Sequence, residues 1–92
     1  MFKIRIADVT VEIDNRYNYV YEKCRDYLTS DGEPAFRVAV SDAEVRTFLQ
    51  EDRRPMTPPE AESHLVYRHI CGRMPRYGAF CNRWNGEWLR RF

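Results

Sequence analysis

The sequence lacks any hydrophobic run long enough to cross a membrane. No apolar stretch approaches the roughly 18–20 residues that a transmembrane helix needs. Residues 1–6 alternate apolar with basic side chains, whereas a signal peptide contains a continuous apolar stretch. We therefore expect a cytoplasmic protein that makes no membrane contact.

Glycine is scarce, and its placement excludes the common nucleotide-binding loops. The four glycines are Gly32, Gly72, Gly78 and Gly86. Phosphate-binding loops need closely spaced glycines, which let backbone amides approach the phosphate, with a lysine alongside. No two of these glycines have the spacing of a P-loop or of a dinucleotide-binding fingerprint. The sequence therefore predicts no nucleotide site and no cofactor.

Cysteine is also scarce, and the cysteines form no metal-binding motif. Cys24, Cys71 and Cys81 make an odd number, which fits reduced thiols better than a disulfide framework. No Cys-x-x-Cys pair exists. His64 and His69 lie about 500° apart around a helix, so they do not share a face. We predict no metal site, with both histidines partly exposed and Cys71 filling a small space in the core.

No nucleophile is paired with a base. A catalytic cysteine needs a histidine within hydrogen-bond reach, but His69 and Cys71 are two residues apart on one predicted helix and point in different directions. Nothing in the sequence pairs Cys24 or Cys81 with a histidine. The sequence therefore predicts no catalytic residue and no enzymatic activity.

The composition is that of one folded domain with an uneven charge distribution. The 92 residues have room for a single domain, and with 14% aromatic residues and a net charge of +1 we expect it to be folded. Residues 1–66 hold 9 Lys/Arg against 13 Asp/Glu, a net charge of −4, whereas residues 67–92 hold 6 Arg against one Glu, a net of +5. This asymmetry marks either an interaction surface or an attraction between the two parts of the chain.

Three segments alternate with period two and predict β-strands. Residues 2–6 and 9–13 place apolar side chains on one face, and the two residues between them match a tight hairpin. Lys3 and Arg5 are expected to face Glu12 or Thr10 across this pair. A third strand is predicted over residues 35–40.

Helices are predicted in the remaining segments. Residues 16–27 have helical spacing of apolar side chains, and Ser41 with Glu44 forms a capping box before a helix that ends near residues 53–55. Thr57 and Glu60 form a second capping box before a helix over residues 58 to about 72–74. Its predicted buried face is Ala61, Leu65, Val66, Ile70 and Met74. The expected fold is α+β, a small antiparallel sheet of about three strands with two to three helices packed on one face.

In the tail after residue 75 the apolar residues have neither helical nor strand spacing, but aromatic residues are combined with arginines. The candidate partner-binding residues are Tyr77, Arg83, Trp84, Trp88, Arg90 and Arg91. Trp, Tyr and Arg are enriched at the energetic centres of protein interfaces, so a protein partner or a homo-oligomer is expected here. Single-stranded nucleic-acid binders also combine cations with stacking surfaces. That pattern is weak in this tail, and nucleic acid is the less favoured ligand.

Several short stretches within residues 1–80 together suggest a family. They are the N-terminal hairpin, Cys24-Arg25-Asp26-Tyr27, Gly32-Glu33-Pro34-Ala35-Phe36, Ser41-Asp42-Ala43-Glu44, and Tyr67-Arg68-His69-Ile70-Cys71 through Tyr77-Gly78-Ala79-Phe80. This region resembles the N-terminal region of HPr kinase-like (PEP carboxykinase-like) P-loop proteins of gut Firmicutes. In that family a glycine-rich phosphate loop follows, whereas residues 81–92 here form a divergent basic aromatic tail.

The resemblance implies an N-terminal piece that packs against a kinase core or helps to present its substrate. The chain is then either a truncated relative or a domain that persists alone. We expect a single, non-catalytic domain over residues 1–92 that acts through protein–protein contacts. The alternatives are a stand-alone regulator, inhibitor or homodimer that uses the aromatic Arg-rich C-terminus, and a single-stranded nucleic-acid binder.

Overall fold

The computed structural model describes residues 1–6, 8–52 and 55–73 of the chain. The elements, in order, are β1 (Phe2–Ile6), β2 (Val9–Asp14), α1 (Asn18–Lys23), a 3₁₀ turn (Arg25–Tyr27), β3 (Phe36–Ala39), α2 (Asp42–Glu51) and α3 (Pro58–Arg73). The expected α+β class is confirmed. No helix within these described ranges is both long enough and apolar enough to cross a membrane.

The N-terminal hairpin has the predicted register. β1 and β2 pair antiparallel, with Lys3 opposite Glu12 and Arg5 opposite Thr10. Asp8 in the connection has φ 64°, in the left-handed region where Asp is found more often than most residues. Its carboxylate lies 3.6 Å from the guanidinium of Arg5. The alternation of apolar and polar residues therefore sets both the pairing and the face that each side chain takes.

The third strand pairs in parallel, so the sheet is mixed and not antiparallel throughout as predicted. β3 lies beside β2, which is the central strand of the order β1-β2-β3. Residues 15–35 separate the two strands and include α1, and a connection of this length with a helix returns the chain to the same end of the sheet. Leu28 forms an antiparallel bridge with Ile4 on the way, so this connection passes along the outer edge of β1.

Residues 28–35 then continue against the polar side of the sheet. The amide of Thr29 donates to the carbonyl of Lys3 at 3.1 Å, and the Lys3 ammonium donates to the carbonyl of Gly32 at 3.3 Å. Gly32 has φ 93°, and a Cβ at this position would lie 3.0 Å from Oγ1 of Thr10. The close approach requires glycine at residue 32, and it buries Thr10.

One hydrophobic core lies between the sheet and the helices. Alternate strand residues supply one side of it, and α1, α2 and α3 supply the other, so the helices pack on one face as predicted. The opposite face is polar and includes the Arg37–Asp14 ion pair at 2.6 Å. The buried hydrophobic residues are Ile4, Ile6, Val11, Ile13, Val20, Cys24, Val38, Val40, Val45, Phe48, Ala61, Leu65, Val66 and Ile70.

Both predicted caps start a helix. The hydroxyl of Ser41 accepts from the Glu44 amide at 3.1 Å at the start of α2. Before α3, the Thr57 hydroxyl donates to the Glu60 carboxylate at 2.9 Å and accepts from the Glu60 amide at 3.5 Å. These bonds satisfy amides that the first helical turn leaves without a partner.

The helix predicted over residues 16–27 is shorter than expected. It contains α1 and the separate 3₁₀ turn, with Cys24 between them. Tyr17, the residue before α1, makes no side-chain cap. The predicted buried face of α3 is confirmed at four of its positions, and Met74 lies outside the described residues. Glu62 and Ser63, which were not predicted to be buried, are buried as well.

Candidate functional site

The candidate partner-binding residues of the sequence all lie outside the described residues. They are Tyr77, Arg83, Trp84, Trp88, Arg90 and Arg91. Their part in binding therefore stays a prediction. The surfaces formed by the described residues supply two other candidates, a groove beside β1 and a cleft between α2 and α3.

The groove is apolar and shallow, with a volume of about 640 Å³. It lies where α1 and the segment after the 3₁₀ turn meet the start of β1. Met1, Phe2, Tyr21 and Leu28 supply its apolar surface, and Lys3 and Glu12 its charged rim. The rim thus carries one cation and one anion, so the groove is defined by its apolar surface more than by its charge.

Local packing builds this groove. The rings of Phe2 and Tyr21 meet edge to face, with centroids 5.3 Å apart and planes at 88°, a favoured arrangement of two aromatic rings. This contact holds α1 against the start of β1. Leu28 follows the 3₁₀ turn in an extended conformation, and its backbone pairs with Ile4. The Leu28 side chain remains 39% exposed.

Exposure of large apolar side chains is concentrated in the groove. Met1 is 67% exposed and Leu28 39%, and no other large hydrophobic residue of the described ranges is exposed. Both line the same groove. Single exposed apolar residues are ordinary, but adjacent ones form a patch of the kind that marks binding surfaces.

The cleft between α2 and α3 is smaller, about 350 Å³, and charged. Nε2 of His69 lies 2.6 Å from Oε1 of Glu44, and the two side chains are 37% and 35% exposed. This contact joins the start of α2 to the end of α3. The partial exposure of His69 matches the prediction. Arg68, Gly72 and Arg73 complete the cleft with Leu65 at one end.

The other histidine and the described cysteines have packing roles. His64 stacks on Phe48, with centroids 5.9 Å apart and planes at 29°. Cys24 is fully buried, and Cys71 packs against the core as predicted. Among residues 1–6, 8–52 and 55–73, no three His, Cys, Asp or Glu side chains are grouped so that they could hold a metal ion. Cys81 lies outside these ranges.

The role of Glu62 was not predicted from the sequence. Its side chain is 1% exposed, and its carboxylate accepts from the amides of Arg16 at 2.8 Å and Tyr17 at 3.2 Å. The Arg16 guanidinium pairs with Asp42 in the first turn of α2. Residues before α1 are therefore held by α2 and α3 together. A contact between residues so far apart leaves no local pattern that could have predicted it.

Comparison with protein-family models, with curated proteins and with solved structures found no match to this chain. The resemblance to the N-terminal region of HPr kinase-like proteins therefore stays a prediction from the short stretches quoted above.

Proposed function

We propose that this domain is a non-catalytic protein-binding module, and that the groove beside β1 receives an apolar side chain from a partner protein. The observation that supports the proposal best is the concentration of exposed apolar surface at Met1 and Leu28. Burial of about 100 Å² of such surface contributes about 2.5 kcal/mol before the costs of association. The groove would therefore supply one anchor of a larger interface, whose other contacts offset the costs of association.

The groove favours a protruding side chain over an added strand. Strand addition needs free amides and carbonyls along an edge. At the outer edge of β1, Leu28 already bridges Ile4, and the Thr29 amide already occupies the Lys3 carbonyl. The partner would therefore contribute a leucine, phenylalanine or similar side chain from a helix or loop.

A different protein fits the groove better than a second copy of this chain. An isologous dimer places the same patch against itself. Two concave patches leave space between them unless a convex element fills it, and the mixed Lys3–Glu12 rim offers no excess of either charge. We accordingly expect the isolated domain to be monomeric.

The proposed kinship with HPr kinase-like proteins is compatible with this function. An N-terminal piece of such a protein would present its groove to a kinase core. The domain would then bind that core without binding nucleotide itself. Stabilisation of the isolated chain by ATP, seen as a concentration-dependent rise in its Tm, would contradict a non-catalytic role.

The experiment compares Leu28→Glu with Gln50→Glu in affinity capture from cells of the source organism. Both variants add one negative charge at an exposed position, but Gln50 lies on α2 and does not line the groove. We expect the wild-type chain and Gln50→Glu to capture the same protein and Leu28→Glu to lose it. The captured protein is then purified and titrated into each chain by calorimetry.

We expect Leu28→Glu to weaken that binding at least about tenfold, which corresponds to about 1.4 kcal/mol. Urea unfolding of the variants checks that the substitutions leave the fold intact. Equal capture by all three chains, or capture of no protein, would overturn the proposal. A dimer found by light scattering, and lost in Leu28→Glu, would instead make a second copy the occupant.

A further inference from the structure

Two arginines at the cleft between α2 and α3 have no carboxylate partner among the described residues. Four of the seven arginines in those ranges, Arg5, Arg16, Arg25 and Arg37, form ion pairs with Asp or Glu. Of the remaining three, Arg68 and Arg73 line this one cleft. Two arginines without a carboxylate partner in the described part of the chain therefore line the same concave surface.

Each of the two guanidinium groups lies near an aromatic ring. Cζ of Arg68 lies 5.4 Å from the centroid of Phe48, and Cζ of Arg73 lies 5.3 Å from the centroid of Phe36. A guanidinium that lies over the face of a ring is attracted to it and can still donate hydrogen bonds from its N–H groups. Arg73 uses one of these, Nη1, for the carbonyl of Arg37 at 3.2 Å. The remaining N–H groups are donors of the kind that bind oxyanions.

The carboxylate of the cleft contacts a histidine and not an arginine. Oε1 of Glu44 is 2.6 Å from Nε2 of His69, which lines the same cleft. Residues 65, 68, 69 and 72 recur at helical spacing on one face of α3, and Arg73 lies at the edge of that face, on the side opposite to Arg68. Gly72 leaves this face open, because a Cβ built there would meet nothing within 4 Å.

We propose that this cleft binds an oxyanion, the carboxylate or phosphate group of a small ligand, between Arg68 and Arg73 and over Gly72. Its volume of about 350 Å³ lies at the lower end of the range of about 300–1,000 Å³ for small-molecule sites. The site is separate from the groove beside β1, and it does not depend on the proposed partner.

The test is a pair of NMR titrations of the full ¹⁵N-labelled chain, one with sodium phosphate and one with sodium succinate. Ionic strength is held constant with sodium chloride, because general screening shifts many signals. We expect a saturable shift of the Gly72 amide and of the Arg68 and Arg73 side-chain N–H signals with at least one anion. The anion that binds more tightly identifies the ligand group as phosphate or carboxylate. No saturable shift with either anion would overturn the proposal.

Two matched comparisons separate a charged site from a general effect. Gly72→Glu and Gly72→Gln add side chains of the same size, both of which favour a helix over glycine, so unfolding is not expected to explain a loss. Gly72→Glu should weaken anion binding at least about tenfold relative to Gly72→Gln.

The second comparison uses two arginines. Arg68→Gln should weaken anion binding by a similar factor, whereas Arg46→Gln should not, because Arg46 is exposed and lies outside the cleft. Equal affinities within each pair would contradict an oxyanion site.

Discussion

The carboxylate of Glu62 accepts a 2.8 Å hydrogen bond from the main-chain amide of Arg16, 46 residues earlier in the chain. The same carboxylate accepts from the amide of Tyr17, the residue before α1. A buried carboxylate thus fixes the main chain of the two residues that lead into α1. Because α1 also carries Tyr21, which lines the groove, this contact positions part of the proposed binding surface.

Replacing Glu62 by glutamine should destabilise the domain by about 1–3 kcal/mol. Glutamine keeps one acceptor oxygen, but its NH₂ group would face a backbone amide, and two donors cannot satisfy each other. Urea unfolding followed by circular dichroism measures the change. Glu62→Ala should lower stability at least as much, since it leaves both amides without their acceptor.

Glu33→Gln provides the control for this substitution. Glu33 is exposed and makes no hydrogen bond or ion pair with another described residue, so its neutralisation should change stability by less than about 0.5 kcal/mol. A Glu62→Gln variant as stable as Glu33→Gln would show that the contacts with Arg16 and Tyr17 contribute nothing.

Two glycine-to-alanine substitutions should change stability in opposite directions. Gly32→Ala should destabilise by at least about 1 kcal/mol, because residue 32 has φ 93° and the new Cβ would meet Thr10 at 3.0 Å. Gly72→Ala should stabilise by about 0.4–1 kcal/mol, since it removes backbone freedom from the unfolded chain and has open space around it. Thermal unfolding of both variants tests the pair, and a shift of Tm in the same direction for both would refute it.

Removal of the N-cap of α2 should lower the stability of the domain, and a replacement that also caps should not. Ser41→Ala is expected to cost about 0.5–2 kcal/mol, because the Glu44 amide loses its acceptor. Ser41→Asp should retain most of the stability, since aspartate also caps and its charge suits the helix N-terminus. Equal losses for alanine and aspartate in urea unfolding would argue against the capping role.

The domain should lose stability at alkaline pH in part through Tyr19. Burial raises the pKa of the Tyr19 phenol, and the nearby Glu60 carboxylate raises it further. The folded state therefore favours the protonated phenol. This contribution to the free energy of unfolding is complete below the pKa of an unfolded tyrosine, about 10. It is lost as the pH rises through the higher pKa that Tyr19 has in the folded state.

Tyr19→Phe should remove this part of the pH dependence. Stability of the variant and of the wild-type chain is compared by urea unfolding at pH 8 and at pH 11. We expect the wild type to lose more stability between the two values than Tyr19→Phe does. Equal losses would mean that Tyr19 makes no separate contribution.

Local patterns predicted the elements that depend on local chemistry. The alternation in residues 2–6 and 9–14 predicted the hairpin, and of the two partners expected for Lys3 the structure shows Glu12. The Ser41 and Thr57 boxes predicted where α2 and α3 begin, although Glu44 turns to His69 instead of closing the first box. In each of these cases the residues that predict an element lie within it or within a few residues of it.

The features that were not predicted from the sequence depend on long-range contacts. The parallel pairing of β3 depends on the path of residues 15–35 around β1, which no spacing along the chain encodes. The burial of Glu62 depends on amides from a distant loop. The groove combines Met1 with Tyr21 and Leu28, and these come together only because that path returns to the edge of β1.

The most direct test of the proposed function is NMR mapping of the ¹⁵N-labelled domain with its purified partner. Amides at residues 2, 3, 21 and 28, around the groove, should shift most and in proportion to the bound fraction. Residues at the end of α3 should shift little, because they belong to the separate cleft. Shifts confined to that cleft, or to Trp84 and Trp88 in the tail, would contradict binding at the groove.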